Sequence, residues 1–212
     1  MKFLSARDFQ ALAFLGLMVV MATAFPTLQV RRGDFTEDTT PNRPVYTTSQ
    51  QVRGLIAYVL NEILETRKEL CNDNPDCLNN ENALSENNLK LPEIQRDDGC
   101  FHTGYNRDVC LLKITSGLLE YQTYLEYVKN NLQDNKKDKA RAIQSNTKTL
   151  VHIFKQEVKD SGKIVFPDPT SKALLLEKLE SQTEWLRTKT TQLILTALEE
   201  FLKVTKRFAL QN

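Results

Sequence analysis

The sequence predicts an all-α protein: a long-chain four-helix bundle with two long crossover connections, spanning residues 48–212. Three observations carry that prediction. Apolar residues recur at steps of three and four along four long segments. No window shows the clustered β-branched alternation of a strand. The second and third segments are joined by fewer than about ten residues, whereas about 35 residues (Cys71 to Tyr105) separate the first from the second, and about ten extended residues separate the third from the fourth.

Residues 1–24 precede any of this. Lys2 and Arg7 form a basic head, Ala11 to Met21 an apolar run, and Ala22-Thr23-Ala24 a small-x-small cleavage site. That is the build of a secretory signal peptide. The apolar run is about half of the ~20 residues a membrane-spanning helix needs. Residues 25–47 are polar, with Arg31, Arg32, several Thr, Pro41 and Pro44, and show no apolar period. They are expected to form a mobile arm, and Thr beside Pro suits O-linked sugar.

Thr48 and Gln51 fit a capping box that opens the first helix. Val52, Ile56, Val59 and Ile63 then mark its inner line, and Leu55, Leu60 and Leu64 widen it. Asn72-Asp73-Asn74-Pro75 ends it. In the second helix, Leu111, Ile114, Leu118, Tyr121, Leu125, Val128 and Leu132 alternate steps of three and four without a break. Gly117 inside it costs about 1 kcal/mol relative to Ala, which a close helix–helix approach would explain. Asn130 to Lys139 reads as a solvated turn. The third helix, about Ala140 to Lys159, shows Ile143, Thr147, Leu150, Phe154 and Val158 on one face. Asp168-Pro169-Thr170 starts the fourth, with Pro suited to a first helical turn. Leu179, Leu186 and Leu193 recur every seventh residue, and Ile194, Leu198, Phe201 and Phe208 extend the stripe. Read as one helix, it would be roughly 55–60 Å long at 1.5 Å per residue. The connection lengths allow up-up-down-down order, the arrangement adopted here; they are also compatible with long loops wandering between antiparallel neighbours.

The four cysteines, Cys71, Cys77, Cys100 and Cys110, form an even set in a chain with a secretory leader, which implies two disulfides. Of three possible pairings the local one is expected, Cys71–Cys77 and Cys100–Cys110, because both intervals are short and Pro75 and Gly104 supply turns. A zinc site would prefer closer ligand pairs. Closing the ten-residue loop stabilises the fold by very roughly 2–3 kcal/mol. It leaves Phe101 and Tyr105 inside the closure, either packed on the bundle end or held outward as contact anchors.

The 28 Lys and Arg nearly balance the 27 Asp and Glu, and loss of Lys2, Arg7 and Asp8 with the leader brings the balance to zero. There is no basic stripe of the kind a nucleic-acid binder carries. The two histidines, His102 and His152, lie far apart in sequence, and there is no HExxH, GxSxG or Gly-rich phosphate loop. The residues point to a protein that is not an enzyme and needs no cofactor or metal. On these grounds alone a secreted helical carrier of an apolar ligand is the default reading.

One pattern is more specific. C-x9-C-x6-G-L-x2-Y-x3-L, from Cys100 through Cys110, Gly117-Leu118 and Tyr121 to Leu125, resembles the signature of the interleukin-6 family of helical cytokines. The Cys71/Cys77 interval, ALSENNLKLP from Ala83 to Pro92, and the tail EKLESQTEWLRTKTTQLILTALEEFLKVTKR are similar too. The resemblance implies a secreted cytokine that binds a specific alpha receptor and then recruits a shared signal-transducing receptor into a hexamer with two copies of each. Phe101, Tyr105 and Arg207 match alpha-receptor positions. Tyr58 matches an exposed aromatic of one transducer face, with Asn146 and Thr149 a looser match on the third helix. Trp185, with Leu84, Glu86 and Asn87, matches the second transducer face. The chain departs from the family after Arg207, where Leu210 stands in place of a second basic residue.

Overall fold

The computed structural model describes residues 49–78 and 89–209. The leader, the arm, Thr48, Leu84, Glu86, Asn87 and Leu210 lie outside the described residues. Six α-helices are described: α1 (Ser49–Cys71), α2 (Pro75–Leu78), α3 (Arg107–Asn131), α4 (Asp134–Glu157), α5 (Pro169–Glu180) and α6 (Glu184–Phe208). The bundle is built from α1, α3, α4 and α6. Its principal contacts are α1 and α3 each packing on α4 and α6.

Polar contacts fix the directions. At the end of α1, the Glu69 carbonyl accepts from Lys136 at 3.2 Å and its carboxylate pairs with Lys139, both at the start of α4. At the start of α3, Arg107 pairs with Glu157 at 2.7 Å and Asp108 with Lys159 at 2.9 Å, at the end of α4. Gln192 of α6 donates toward Cys71 and Cys77, and Glu199, further along, pairs with Arg67, one turn earlier in α1. Tyr121 of α3 meets Phe201 of α6 edge-on, with ring centroids 5.4 Å apart. So α1 and α3 run one way and α4 and α6 the other, the expected up-up-down-down order.

The core is the one the period marked. Val52, Ile56, Val59 and Ile63 of α1 are buried, as are Leu111, Ile114, Leu118, Tyr121, Leu125, Val128 and Leu132 along α3. Leu64 is an exception: it is exposed and does not widen the stripe. The Gly117 expectation holds. A Cβ there would lie 2.5 Å from the Phe201 ring and 3.4 Å from Pro92, so the glycine admits α6 and the incoming loop at once.

Two boundaries differ from expectation. The α3–α4 turn is confined to Leu132–Gln133; most of the expected turn is helical, and α4 begins at Asp134, because an acidic residue in the first turn suits the positive end of the helix dipole. The fourth helix is also not continuous. It breaks at Ser181-Gln182-Thr183, where Ser181 caps α5 and Thr183 returns to an extended conformation.

The reason for the break lies in the path of the chain. The Val165 N–H donates to Ser116 Oγ at 3.1 Å, Lys172 pairs with Glu126 at 2.8 Å, and the Tyr127 hydroxyl lies 3.5 Å from Gln182 Oε1. The segment from Val165 to Gln182 therefore climbs α3 in parallel and belongs to the crossover; only α6 descends as a bundle helix. Gln182 secures the reversal by accepting from the Thr190 hydroxyl at 2.9 Å. The Leu179–Leu186–Leu193 repeat spans this break and is not one stripe: Leu179 is buried from α5, Leu193 is half-buried, and Leu186 is exposed.

The first long crossover descends the same helix. Tyr124 and Tyr121 donate their hydroxyls to the carbonyls of Leu89 and Pro92, each at 2.8 Å, and Lys113 pairs with Asp98 at 3.1 Å. Two straps thus lie on α3, and Thr115, Thr123, Tyr124 and Tyr127 are buried in addition to the apolar line.

Candidate functional site

The loop between Cys100 and Cys110 is closed as expected, with a Cα–Cα distance of 4.8 Å; Cys71 and Cys77 are joined at 5.6 Å. Gly104 sits at φ +79°, a left-handed turn conformation that glycine takes at no steric cost. The Gly99 carbonyl accepts from the Asn106 N–H at 2.8 Å, and Asn106 Oδ1 caps α3 through the Val109 N–H at 3.2 Å. The Arg107–Glu157 and Asp108–Lys159 pairs hold the base of the loop on the end of α4.

Within this frame the two loop aromatics part company. Phe101 is half-buried and packs against the core cluster, so it is less outward than a free anchor would be. Tyr105 is 39% exposed and sets its ring 6.5 Å from that of Phe208, tilted by 38°. Phe208 is buried at the end of α6, and Arg207 beside it is exposed. Phe101 and Tyr105 of the loop and Arg207 from the far end of the sequence are thereby gathered at one end of the bundle. Sequence reading placed Phe208 on the core stripe alone; its second role, as the floor under Tyr105, needs the loop's position and leaves no mark in the periodicity.

Tyr58 is 47% exposed on α1. Gly54, one turn before it, has open space where a Cβ would stand, which leaves the face beside the ring uncluttered. On α4, Thr149 is exposed and Asn146 half-buried; their side chains donate to carbonyls of their own helix, Ser145 at 3.1 Å and Ala142 at 2.8 Å. Trp185 stands on the first turn of α6, 70% exposed, with the exposed Leu186 next to it. It is off the core line because the break at 181–183 resets the helix there. Its expected companions Leu84, Glu86 and Asn87 lie outside the described residues.

No catalytic constellation forms among the described residues. All four cysteines are in disulfides. His102 is exposed in the loop, and His152 shares a 3.1 Å contact with Gln156. The strongest titration shifts belong to packing. Burial raises Tyr121 far above the usual phenol range and pushes Tyr124 and Tyr127 up to about 12. Among the described residues no group of His, Cys, Asp and Glu could hold a metal ion, and no helix is long and apolar enough to cross a membrane.

Comparison with known proteins gives these surfaces a context. The model of the Interleukin-6/G-CSF/MGF family matches residues 26–211. The chain is 80% identical to interleukin-6 of Rattus norvegicus and 74% identical to that of Mus musculus, each over the full length of both chains. The solution structure of mouse interleukin-6 superposes with a TM-score of 0.64 at 73% identity, covering 87% of this chain and 100% of that one. A chain from the crystal structure of a cytokine/receptor complex shares the fold, with a TM-score of 0.64 at 22% identity over 78% of this chain and 98% of that one. The chain belongs to the Interleukin-6/G-CSF/MGF family, and with that family it is a helical signalling protein and not an enzyme.

Proposed function

We propose that the protein is a secreted cytokine that acts by assembling receptors in order. It first binds a specific alpha receptor, the interleukin-6 receptor alpha chain, and then recruits the shared signal-transducing receptor into a hexamer with two copies of each. Clustering of the transducer activates cytoplasmic kinases and a transcription factor, and so drives immune and acute-phase responses.

The observation that carries this reading is the seat of Tyr105 on Phe208 beside Arg207. A disulfide-closed loop and a helix end there present one aromatic and one guanidinium on a rigid base. Rigid aromatics and Arg are the residues that dominate binding energy at protein interfaces, since they lose little conformational entropy on contact. The alpha-receptor surface is assigned to Tyr105, Arg207 and the exposed edge of Phe101. Tyr58 is assigned to one transducer surface, and Trp185 with Leu84, Glu86 and Asn87 to the other. The exposed positions of Tyr58 and Trp185 suit these roles, because a large aromatic in water gains about 25 cal/mol for each Å² of apolar area that a partner covers.

Binding of the refolded 25–212 chain to an immobilised alpha-receptor ectodomain tests the first step. The native chain binds and Tyr105→Ala binds at least roughly tenfold more weakly, the loss of about 1.4 kcal/mol expected of a contact anchor. A native chain that is helical and disulfide-intact but does not bind would refute the proposal.

A further inference from the structure

A cleft of about 330 Å³ lies between α3 and the strap that climbs it, and Tyr105, Tyr58 and Trp185 are not on its lining. Gly117 is on its lining, where the Phe201 ring and Pro92 already take up the space a Cβ would need. Pro92, Val165, Pro167 and Leu175 give it apolar walls. Small-molecule sites begin at about this size and combine apolar walls with a few convergent polar groups.

The polar groups are not equivalent. Lys113 at one end is paired with Asp98 at 3.1 Å, and Lys172 at the other with Glu126 at 2.8 Å. Asp168 caps α5 by accepting the Ser171 N–H at 2.7 Å, and Ser116 Oγ accepts from Val165. Glu120 is also on the cleft lining, yet it forms no ion pair with any described residue. Both cations of the cleft are thus paired with carboxylates off its lining, and of its own two carboxylates Asp168 serves as a helix cap and Glu120 is left for an incoming charge. Crowding by the protein raises the pKa of Glu120 against the smaller opposing pull of Lys113. That is the environment in which a carboxylate gains from a cationic partner.

We infer that this cleft is a binding site for a small amphiphilic amine, its ammonium on the Glu120 carboxylate and its apolar body over Gly117 between Pro92 and Leu175. Such a ligand would bridge α3 and the strap, two parts of the chain joined here through Ser116–Val165 and Glu126–Lys172.

The test is an NMR titration of the intact 25–212 protein with 2-phenylethylamine, with 3-phenylpropanoate as the probe of opposite charge. The amine is expected to give saturable amide shifts at Gly117, Glu120, Val165 and Ser171, with a dissociation constant on the order of 1 mM for so small a probe. Glu120→Gln, isosteric and at the protein surface, should weaken it roughly tenfold, the worth of one charge-assisted hydrogen bond. The carboxylate probe should leave these amides unmoved. Absence of saturable shifts with the amine, equal binding of the two probes, or unchanged affinity in Glu120→Gln would each overturn the inference.

Discussion

The ring of Tyr105, in a disulfide-closed loop, rests 6.5 Å from the ring of Phe208, in the last turn of the last helix. One of the pair is exposed and the other buried, so the two should respond differently to truncation. Phe208→Ala removes a core side chain and should cost about 3–5 kcal/mol in urea unfolding. Tyr105→Ala should cost less than about 1 kcal/mol, because water already reaches much of the ring. Equal costs would mean that Tyr105 is a core residue and no free surface is presented there.

Gly117 and Phe201 form a second testable pair. Gly117→Ala places a Cβ 2.5 Å from the Phe201 ring. The overpacking should cost about 1–3 kcal/mol, offset in part by roughly 1 kcal/mol of gained helix propensity. Adding Phe201→Leu should make the alanine better tolerated, with a coupling of at least about 0.5 kcal/mol in a double-mutant cycle. Strict additivity would show that the close approach is not the reason for the glycine.

Arg67 ties the end of α1 to two other elements. It is buried, pairs with Glu199 of α6, and donates to the Leu78 carbonyl at 2.6 Å beyond the Cys71–Cys77 closure. Removing one partner of a buried pair costs about 3–5 kcal/mol when the other is left alone. Here Lys203 also pairs with Glu199 at 2.8 Å, so the predicted cost of Arg67→Met is lower, about 2–3 kcal/mol by chemical denaturation. A change under about 0.5 kcal/mol would contradict this role.

The tyrosines of α3 make stability sensitive to base. Burial holds Tyr124 and Tyr127 up at about 12, above the ordinary phenol value of 10. A raised folded-state pKa gives stability that is complete below the unfolded pKa and is lost as pH rises through the folded one. Stability should therefore fall between about pH 10 and 12, read as a decreasing midpoint of urea unfolding. Tyr124→Phe should make the fall shallower; it should also lower stability at neutral pH by about 1 kcal/mol, because the hydrogen bond to Leu89 is lost. An unchanged slope in that variant would rule out the cause.

Much of this fold is readable in the sequence because burial along α3 follows a strict helical period. Leu111 to Leu132 mark the face against α4 and α6 without ambiguity. Tyr124, Tyr127 and Thr123 do not stand out, because their burial comes from straps of chain lying on the other side of α3. A strap has no periodicity of its own. The same cause hid the break at 181–183: Leu179 of α5 and Leu186 of α6 keep a seven-residue spacing across a reversal of direction. The candidate surfaces follow this division. Tyr58 stands off the Val52–Ile56–Val59–Ile63 line and is exposed, whereas the apolar spacing is no guide at Trp185, since Leu186 beside it is exposed as well, and the meeting of Tyr105 with Phe208 depends on tertiary structure alone.

The most direct test of the account is stepwise receptor assembly, followed by light scattering, of the native 25–212 chain, Tyr105→Ala and Trp185→Ala with alpha-receptor and transducer ectodomains. Trp185 is the only Trp and is 70% exposed, so its replacement should leave the melting temperature nearly unchanged. Tyr105→Ala is expected to need at least roughly tenfold more alpha receptor to form the binary complex, whereas Trp185→Ala forms that complex as the native chain does and stops before the hexamer. If Trp185→Ala reached the hexamer as the native chain does, or lost the binary complex while still folded, the assignment of the two surfaces would be contradicted.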